Sequence, residues 1–255
     1  MNVLVCVKRV PMVGSRINLS ADATEVDTRQ LGFTISPHEE CAVEEAVRLV
    51  EAHGGAVTVL TLGPPEAVEQ LRDAAAIGAT RLVHLLTDGR EWDPVGTARA
   101  ITEAVTRDEA AAGRYDLILF GNEAPDTGDY QVGVRVAHAL ARPCVTGVKS
   151  MEVADGSLRA RREYRGGDET FEVPTPAVVS VKEGINLPRY PSLPGRIRAK
   201  KVPVEESTPP WSPGALRLER LRTPVEERTR AEILGTGVDA VPAVVALRER
   251  LGVLG

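Results

Sequence analysis

Five short apolar runs rich in β-branched residues punctuate the chain: Val3 to Val7, Ala56 to Leu62, Arg81 to Leu86, Asp116 to Phe120 and Ala177 to Val181. Most end in Gly, Pro or a charged turn, so they read as strands buried on both faces. Between them lie longer segments of helical period, Pro37 to Ala52, Pro65 to Ala76, Thr97 to Ala112 and Tyr130 to Leu140. In the first, Cys41, Ala42, Ala46, Leu49 and Val50 share one face, and Glu39, Glu40, Glu44 and Arg48 fall largely on the other. Parallel strands need crossover connections. The β, α, β, α order therefore predicts an α/β fold, an open, mostly parallel Rossmann-like sheet with helices on both faces.

Segments outside this alternation predict additions to the domain. The polar, alternating stretch from Leu19 to Phe33 suits a short β-excursion over the sheet. Thr146 to Val173 has strand-like pieces with turn signals at Asp155-Gly156 and Gly166-Gly167, which predicts a β-meander (146–175) packed on the sheet edge. In "NLPRYPSLPG", Asn186 to Gly195, three prolines restrict the backbone and remove ladder N–H groups, so the segment is expected to project as a loop with Leu193 near its tip. Beyond Val202 prolines recur every few residues and core periodicity is lost. That composition describes an extended arm that binds something, closed by a helix from Val241 to Leu251. The expected division is an α/β domain over 1–201 and an arm over 202–255.

The loop "GNEAPDTGDYQVG", Gly121 to Gly133, follows the fourth strand and opens a helix. In open α/β sheets the ligand crevice lies past the carboxyl ends of strands, and backbone N–H groups at a glycine-rich turn and helix start favour an anion. Two readings stand at this point: a phosphate cradle, or a tight βα turn. The loop matches neither GxGxxG nor GxxxxGK[ST]. Its carboxylates argue against a purely electrostatic phosphate pocket, and Asp126 suits either ribose hydroxyls or a helix cap.

Other chemistries find little support. A net charge of -5 and 4% aromatic content make the lone basic cluster "RIRAKK" a weak nucleic-acid footprint. No apolar run approaches the roughly 20 residues of a membrane span, and the opening run is interrupted by Lys8 and Arg9, so a cytoplasmic protein without membrane insertion is expected. Cys6, Cys41 and Cys144 form no CxxC pair, and His38, His53, His84 and His138 show no ligand spacing. There is no GxSxG elbow and no convincing catalytic constellation.

One stretch is more specific. "ARREYRGGDETFEVPTPAVVS", Ala160 to Ser180, closely resembles the signature of the electron transfer flavoprotein beta subunit family. The resemblance extends to "VLVCVKRV", "SPHEECAVEEAVRL", "AAAIGATR" and "NLPRYPSLPGRIRAKK", and covers about the first 200 residues. It implies an electron carrier rather than an enzyme: a heterodimer with an alpha subunit that holds most of a shared FAD, serving a flavin dehydrogenase or another redox partner. It also implies an adenine nucleotide in this subunit's own core, either AMP or a second FAD, with an empty site as a third possibility.

Carried over by position, the nucleotide cradle comprises Cys6, Ser36, Pro37, His38, Glu39, Leu62, Gly121, Asp126, Thr127, Tyr130, Gln131 and Val132. Leu193 and Tyr190 match the family's partner-recognition loop (184–198), with Leu193 as anchor, and Glu163 matches a glutamate that pairs with an arginine on the mobile FAD domain. Departures from the housekeeping pattern include Ser36-Pro-His-Glu39 for Asn-Pro-Phe-Cys, Gln131-Val-Gly133 in the nucleotide loop, Arg165 for an acidic residue, and Val13 for an aromatic that touches flavin in some relatives. A stand-alone nucleotide-binding stress or signalling protein on the same architecture is the alternative, although the Gly-Ser/Thr phosphate clamp it needs is not evident.

Overall fold

The computed structural model describes residues 1–12, 14, 17–90, 92–211, 214, 216–224 and 231–253; Val13 lies outside them. The chain opens with β1 (Asn2–Val7), then pairs two-residue strands β2 (Val10–Pro11) and β3 (Phe33–Thr34) around the expected excursion, in which Leu19 and Val26 form an isolated bridge. There follow α1 (Pro37–His53), β4 (Ala56–Gly63), α2 (Val68–Ile77), β5 (Arg81–Leu86), α3 (Pro94–Ala112) and β6 (Leu117–Gly121). Next come α4 (Val132–Ala139), β7 (Cys144–Ala154), β8 (Ser157–Tyr164), β9 (Gly167–Pro174) and β10 (Ala177–Val181). The chain continues through α5 (Leu193–Ala199), β11 (Val204–Ser207) and α6 (Val241–Arg250).

Among the described residues the main sheet has nine strands in the order β11-β5-β4-β1-β6-β10-β7-β8-β9. Neighbours are parallel from β11 through β7, and β8 and β9 are antiparallel. Period-two alternation sorts the core into two layers. Val3, Val5 and Val7 of β1 join the cluster that contains the apolar residues of α1 and α2, and Leu4 and Cys6 join the cluster of α3 and α4. The central strand β6 is buried on both faces, with Leu117, Ile118 and Leu119 all 0% exposed. Each such side chain contributes about 1.5–3 kcal/mol over an exposed one.

Three expectations gain detail. The β-meander lies at the edge of the sheet by continuing it: β7 pairs with β10, and β8 and β9 follow as the outermost strands. The segment after Val202 does not begin as a free arm, because β11 pairs with β5 at the opposite edge, where Arg81 bonds to Glu205 at 2.6 and 2.8 Å. The proline-rich loop is loop only to Ser192. Ser192 caps α5 by accepting the Gly195 N–H at 3.1 Å, and Pro194 sits in the first turn, where its missing N–H costs nothing. Leu193 is therefore the first residue of a short helix.

The arm beyond β11 runs back along the body. Trp211 lies under the Arg90 guanidinium at 4.6 Å, Leu216 N–H donates to Asp93 at 3.1 Å, and Leu221 N–H donates to the Ala23 carbonyl at 2.8 Å. Beyond it, α6 buries none of its side chains. No described helix is long and apolar enough to cross a membrane.

Candidate functional site

From β1 the chain steps outward to β4 and β5, then returns through α3 to β6 on the other flank of β1. The direction of strand order reverses between β1 and β6, and past the carboxyl ends of strands at such a point open α/β sheets place their ligand crevice. Most of the residues singled out in the sequence gather there.

Glu39 ties the two sides of this crevice together. Ser36 Oγ accepts the Glu39 N–H at 3.2 Å and the Glu39 carboxylate accepts the Ser36 N–H at 3.0 Å, a reciprocal cap on α1 with Pro37 in the first turn. The second carboxylate oxygen accepts the Lys8 N–H, just past β1, at 3.0 Å. At the end of β6, a Cβ on Gly121 would lie 2.7 Å from Glu39 Cγ, so only glycine lets α1 close against that strand end. The sequence pattern assigned Glu39 and Glu44 to a polar outer face, yet they are 6% and 2% exposed, because both side chains are used as anchors for neighbouring backbone. Burial pushes the Glu39 carboxyl up to about 8, against the pull of the Ser36 and Lys8 N–H groups. Burial first, and the nearby Glu39 second, raise the Cys6 thiol well above its ordinary range, which makes Cys6 a packing residue and not a nucleophile.

His38, in the first turn of α1, joins two loops. Its Nδ1 accepts the Glu183 N–H at 2.8 Å, which leaves Nε2 to carry the proton of the neutral ring and donate to Glu123 at 3.3 Å. Lys8 Nζ meets Asp126 at 2.7 Å. Asp126 thus neutralises a cation beside the crevice and does not cap α4, whose Ncap residue Gln131 makes no side-chain cap bond either. Ser36, Asp93 and Ser192 cap α1, α3 and α5, whereas α2 and α6, like α4, have no side-chain cap. The first-turn N–H groups of α4, beginning at Val132, therefore remain for an anion at the helix's positive end. Thr127 N–H folds onto Asp126 at 2.9 Å, and Tyr130, 57% exposed, holds a left-handed φ of 55° immediately before the cap. A backbone conformation of that kind costs about 1 kcal/mol or more and clusters at binding sites. Leu62 sits near the end of β4, one strand away from the crevice, half-buried against the α3 layer.

Gly133 serves packing. A Cβ there would lie 3.1 Å from Phe120 and 3.2 Å from Ser180 Oγ, so the glycine brings α4 down onto β6 and β10. Gly133→Val is expected to lift the helix and lower stability by about 1–3 kcal/mol. A denaturant midpoint unchanged from that of the parent chain would contradict this placement.

The remaining sequence-derived residues lie elsewhere. Tyr190 and Leu193 are 97% and 72% exposed on the α1 and α2 side. Glu163 is exposed on β8, faces Asp168 across the strand pair, and among the described residues makes no ion pair. Sequence reasoning missed Lys8 and Glu183, although a lysine directly after a buried strand is a signal that the strand's carboxyl end meets something polar. A separate cleft of about 310 Å³ lies between α3 and β11. Arg81 pairs there with Asp108 at 2.5 Å and Glu205 at 2.6 Å, and the cleft holds none of the residues singled out in the sequence.

Comparison with known proteins matches residues 24–211 to the electron transfer flavoprotein domain. This chain belongs to that family. Relatives named electron transfer flavoprotein subunit beta include one from Bacillus subtilis (strain 168), 36% identical over 81% of this chain and 78% of the relative. Another, from Bradyrhizobium diazoefficiens, is 33% identical over 82% of each chain, and one from Dictyostelium discoideum is 30% identical over 82% of each. The domain match contains all of the crevice except β1 and Lys8, together with the β7–β9 extension, α5 and β11.

Proposed function

We propose that this chain is the beta subunit of a cytoplasmic, heterodimeric electron transfer flavoprotein that carries electrons from a flavin dehydrogenase or related donor to a downstream acceptor. Bound with the alpha subunit, FAD supplies the electron-carrying chemistry; this chain supplies binding and orientation. The crevice between β1 and β6 holds an adenine nucleotide, AMP ahead of a second FAD. Its phosphate rests on the uncapped first turn of α4 near Lys8, and its sugar lies along the Asp126–Val132 loop. The exposed apolar residues of α6, among them Val241, Val244 and Val245, face the alpha subunit. Glu163, exposed in β8 and without an ion pair among the described residues, meets the mobile flavin domain, and Tyr190 and Leu193 meet the redox partner.

The single observation that carries the nucleotide reading is the uncapped α4 beside the Lys8–Asp126 pair, at the point where strand order reverses. Lys8→Met removes the cation and leaves Asp126 unpaired beside the phosphate. The expected outcome is an affinity for AMP lower by about tenfold, the scale of one charge-assisted contact. Calorimetric titration of nucleotide-stripped heterodimer with AMP, and separately with FAD, checks it. Affinities equal to those of the parent complex for both would contradict the crevice reading.

A further inference from the structure

The loop between β10 and α5 is fastened to α1 along its length. Glu183 N–H donates to His38 Nδ1 at 2.8 Å. The Asn186 side-chain amide donates to the Cys41 carbonyl at 3.0 Å and to Glu45 at 2.8 Å. Arg189 then forks over two carboxylates, reaching Glu44 at 2.9–3.2 Å and Glu51 at 2.7 and 3.0 Å, and its backbone N–H adds a bond to Glu44 at 3.2 Å. Glu44 is 2% exposed and also accepts from Arg48 at 3.0 Å.

A carboxylate this deep is costly unless its lone pairs are filled. Burial opposes its charge, but the bonds from Arg189 and Arg48 outweigh burial and hold the carboxyl below its ordinary value. The side chains that the clamp does not use point outward: Leu187 is 84% exposed, Tyr190 97% and Leu193 72%. A clamp built around a buried charge thus holds up a row of apolar side chains with little packed around them.

We propose that Glu44 and Arg189 are positioning residues that preform the 186–193 loop as a rigid docking surface, so that a redox partner meets an ordered loop instead of ordering it on contact. This rests on the docking reading given above. Ordering a loop on binding subtracts from affinity, so preorganisation strengthens it without adding a contact. Arg189→Lys keeps the cation over Glu44 but loses the planar fork that engages both carboxylates. Glu51→Gln loosens the same fork without uncovering the buried Glu44.

The test is a double-mutant cycle on the intact heterodimer, with a flavin dehydrogenase that reduces it as the titrant. Arg189→Lys is expected to weaken partner binding about tenfold, and Glu51→Gln to weaken it less. Nucleotide and flavin content stay at parent levels. Amide exchange in 183–193 quickens while that of β1 and β6 does not change. In a Leu193→Ala background, Arg189→Lys is expected to add little further loss, because the clamp acts through the residues it presents. Parent affinity in Arg189→Lys, or full additivity with Leu193→Ala, overturns the positioning role and leaves the docking reading intact. Parent affinity in Leu193→Ala overturns the docking reading and this inference with it.

Discussion

Glu39→Ala is expected to cost the fold about 2–4 kcal/mol, because it strands the Ser36 and Lys8 N–H groups without their acceptor at a closed strand end. Nothing else in that contact replaces it: Gly121 offers no side chain, and Ser36 Oγ is an acceptor for Glu39 N–H. The same residue sets a pH dependence. Its folded value of about 8 lies above the ordinary carboxylate range, so between about pH 4.5 and 8 the folded chain keeps a proton that the unfolded chain has released. The group's contribution is therefore greatest below pH 4.5, falls as pH rises through that window, and is flat above it. Glu39→Gln, neutral throughout, should lose that component of the slope while carrying a smaller constant penalty than alanine, since its amide presents one acceptor. Urea midpoints of parent and Glu39→Gln at pH 5 and pH 8 decide the matter. Equal pH slopes in the two would show that Glu39 is ionised in the fold at both values.

Leu193→Ala is expected to leave the fold intact and to weaken partner binding by about thirtyfold or more, the scale of an interface anchor worth 2 kcal/mol. The asymmetry follows from placement. Leu193 is 72% exposed at the first turn of α5, so truncation removes little internal packing. The helix itself stays seated, because Ser192 caps it and Gly195 packs so closely on α2 that a Cβ there would lie 2.4 Å from the Ala76 carbonyl. Calorimetry with a flavin dehydrogenase and flavin absorbance on the same preparation separate the two roles. Normal partner affinity would remove Leu193 from the interface, and lost flavin would assign it to the fold of the complex.

The order of strands and helices was legible because each strand of the parallel core is short, β-branched and bounded by turn residues, and each crossover is long and periodic. The loop from Gly121 to Val132 was legible for the same reason, as a glycine-rich link at the end of a buried strand. Its geometry was not. Asp126 has the composition of a helix cap, but a lysine 118 positions earlier in the sequence takes it. Glu39 and Glu44 follow the helical polar period and look solvent-facing; Glu39 is buried because α1 closes on the ends of β1 and β6, and Glu44 because Arg189, 145 residues later, folds over α1. Periodicity records what one helix offers, and only long-range contacts decide which polar side chains are consumed. The β7–β9 extension was recognised as strands, but its parallel seam with β10 carries no local signal, and neither does the pairing of β11 with β5.

A nucleotide-bearing subunit of a flavin complex should keep its ligands through purification. Native mass spectrometry of the chain co-expressed with its alpha subunit, followed by identification of the small molecules released on denaturation, tests this. The expected result is a one-to-one heterodimer that releases FAD together with AMP, the AMP being reduced in the Lys8→Met complex while the FAD of the alpha site is retained. A second FAD in place of AMP would keep the crevice and change its guest. A chain that stays alone, or a heterodimer that releases no flavin, would contradict the account.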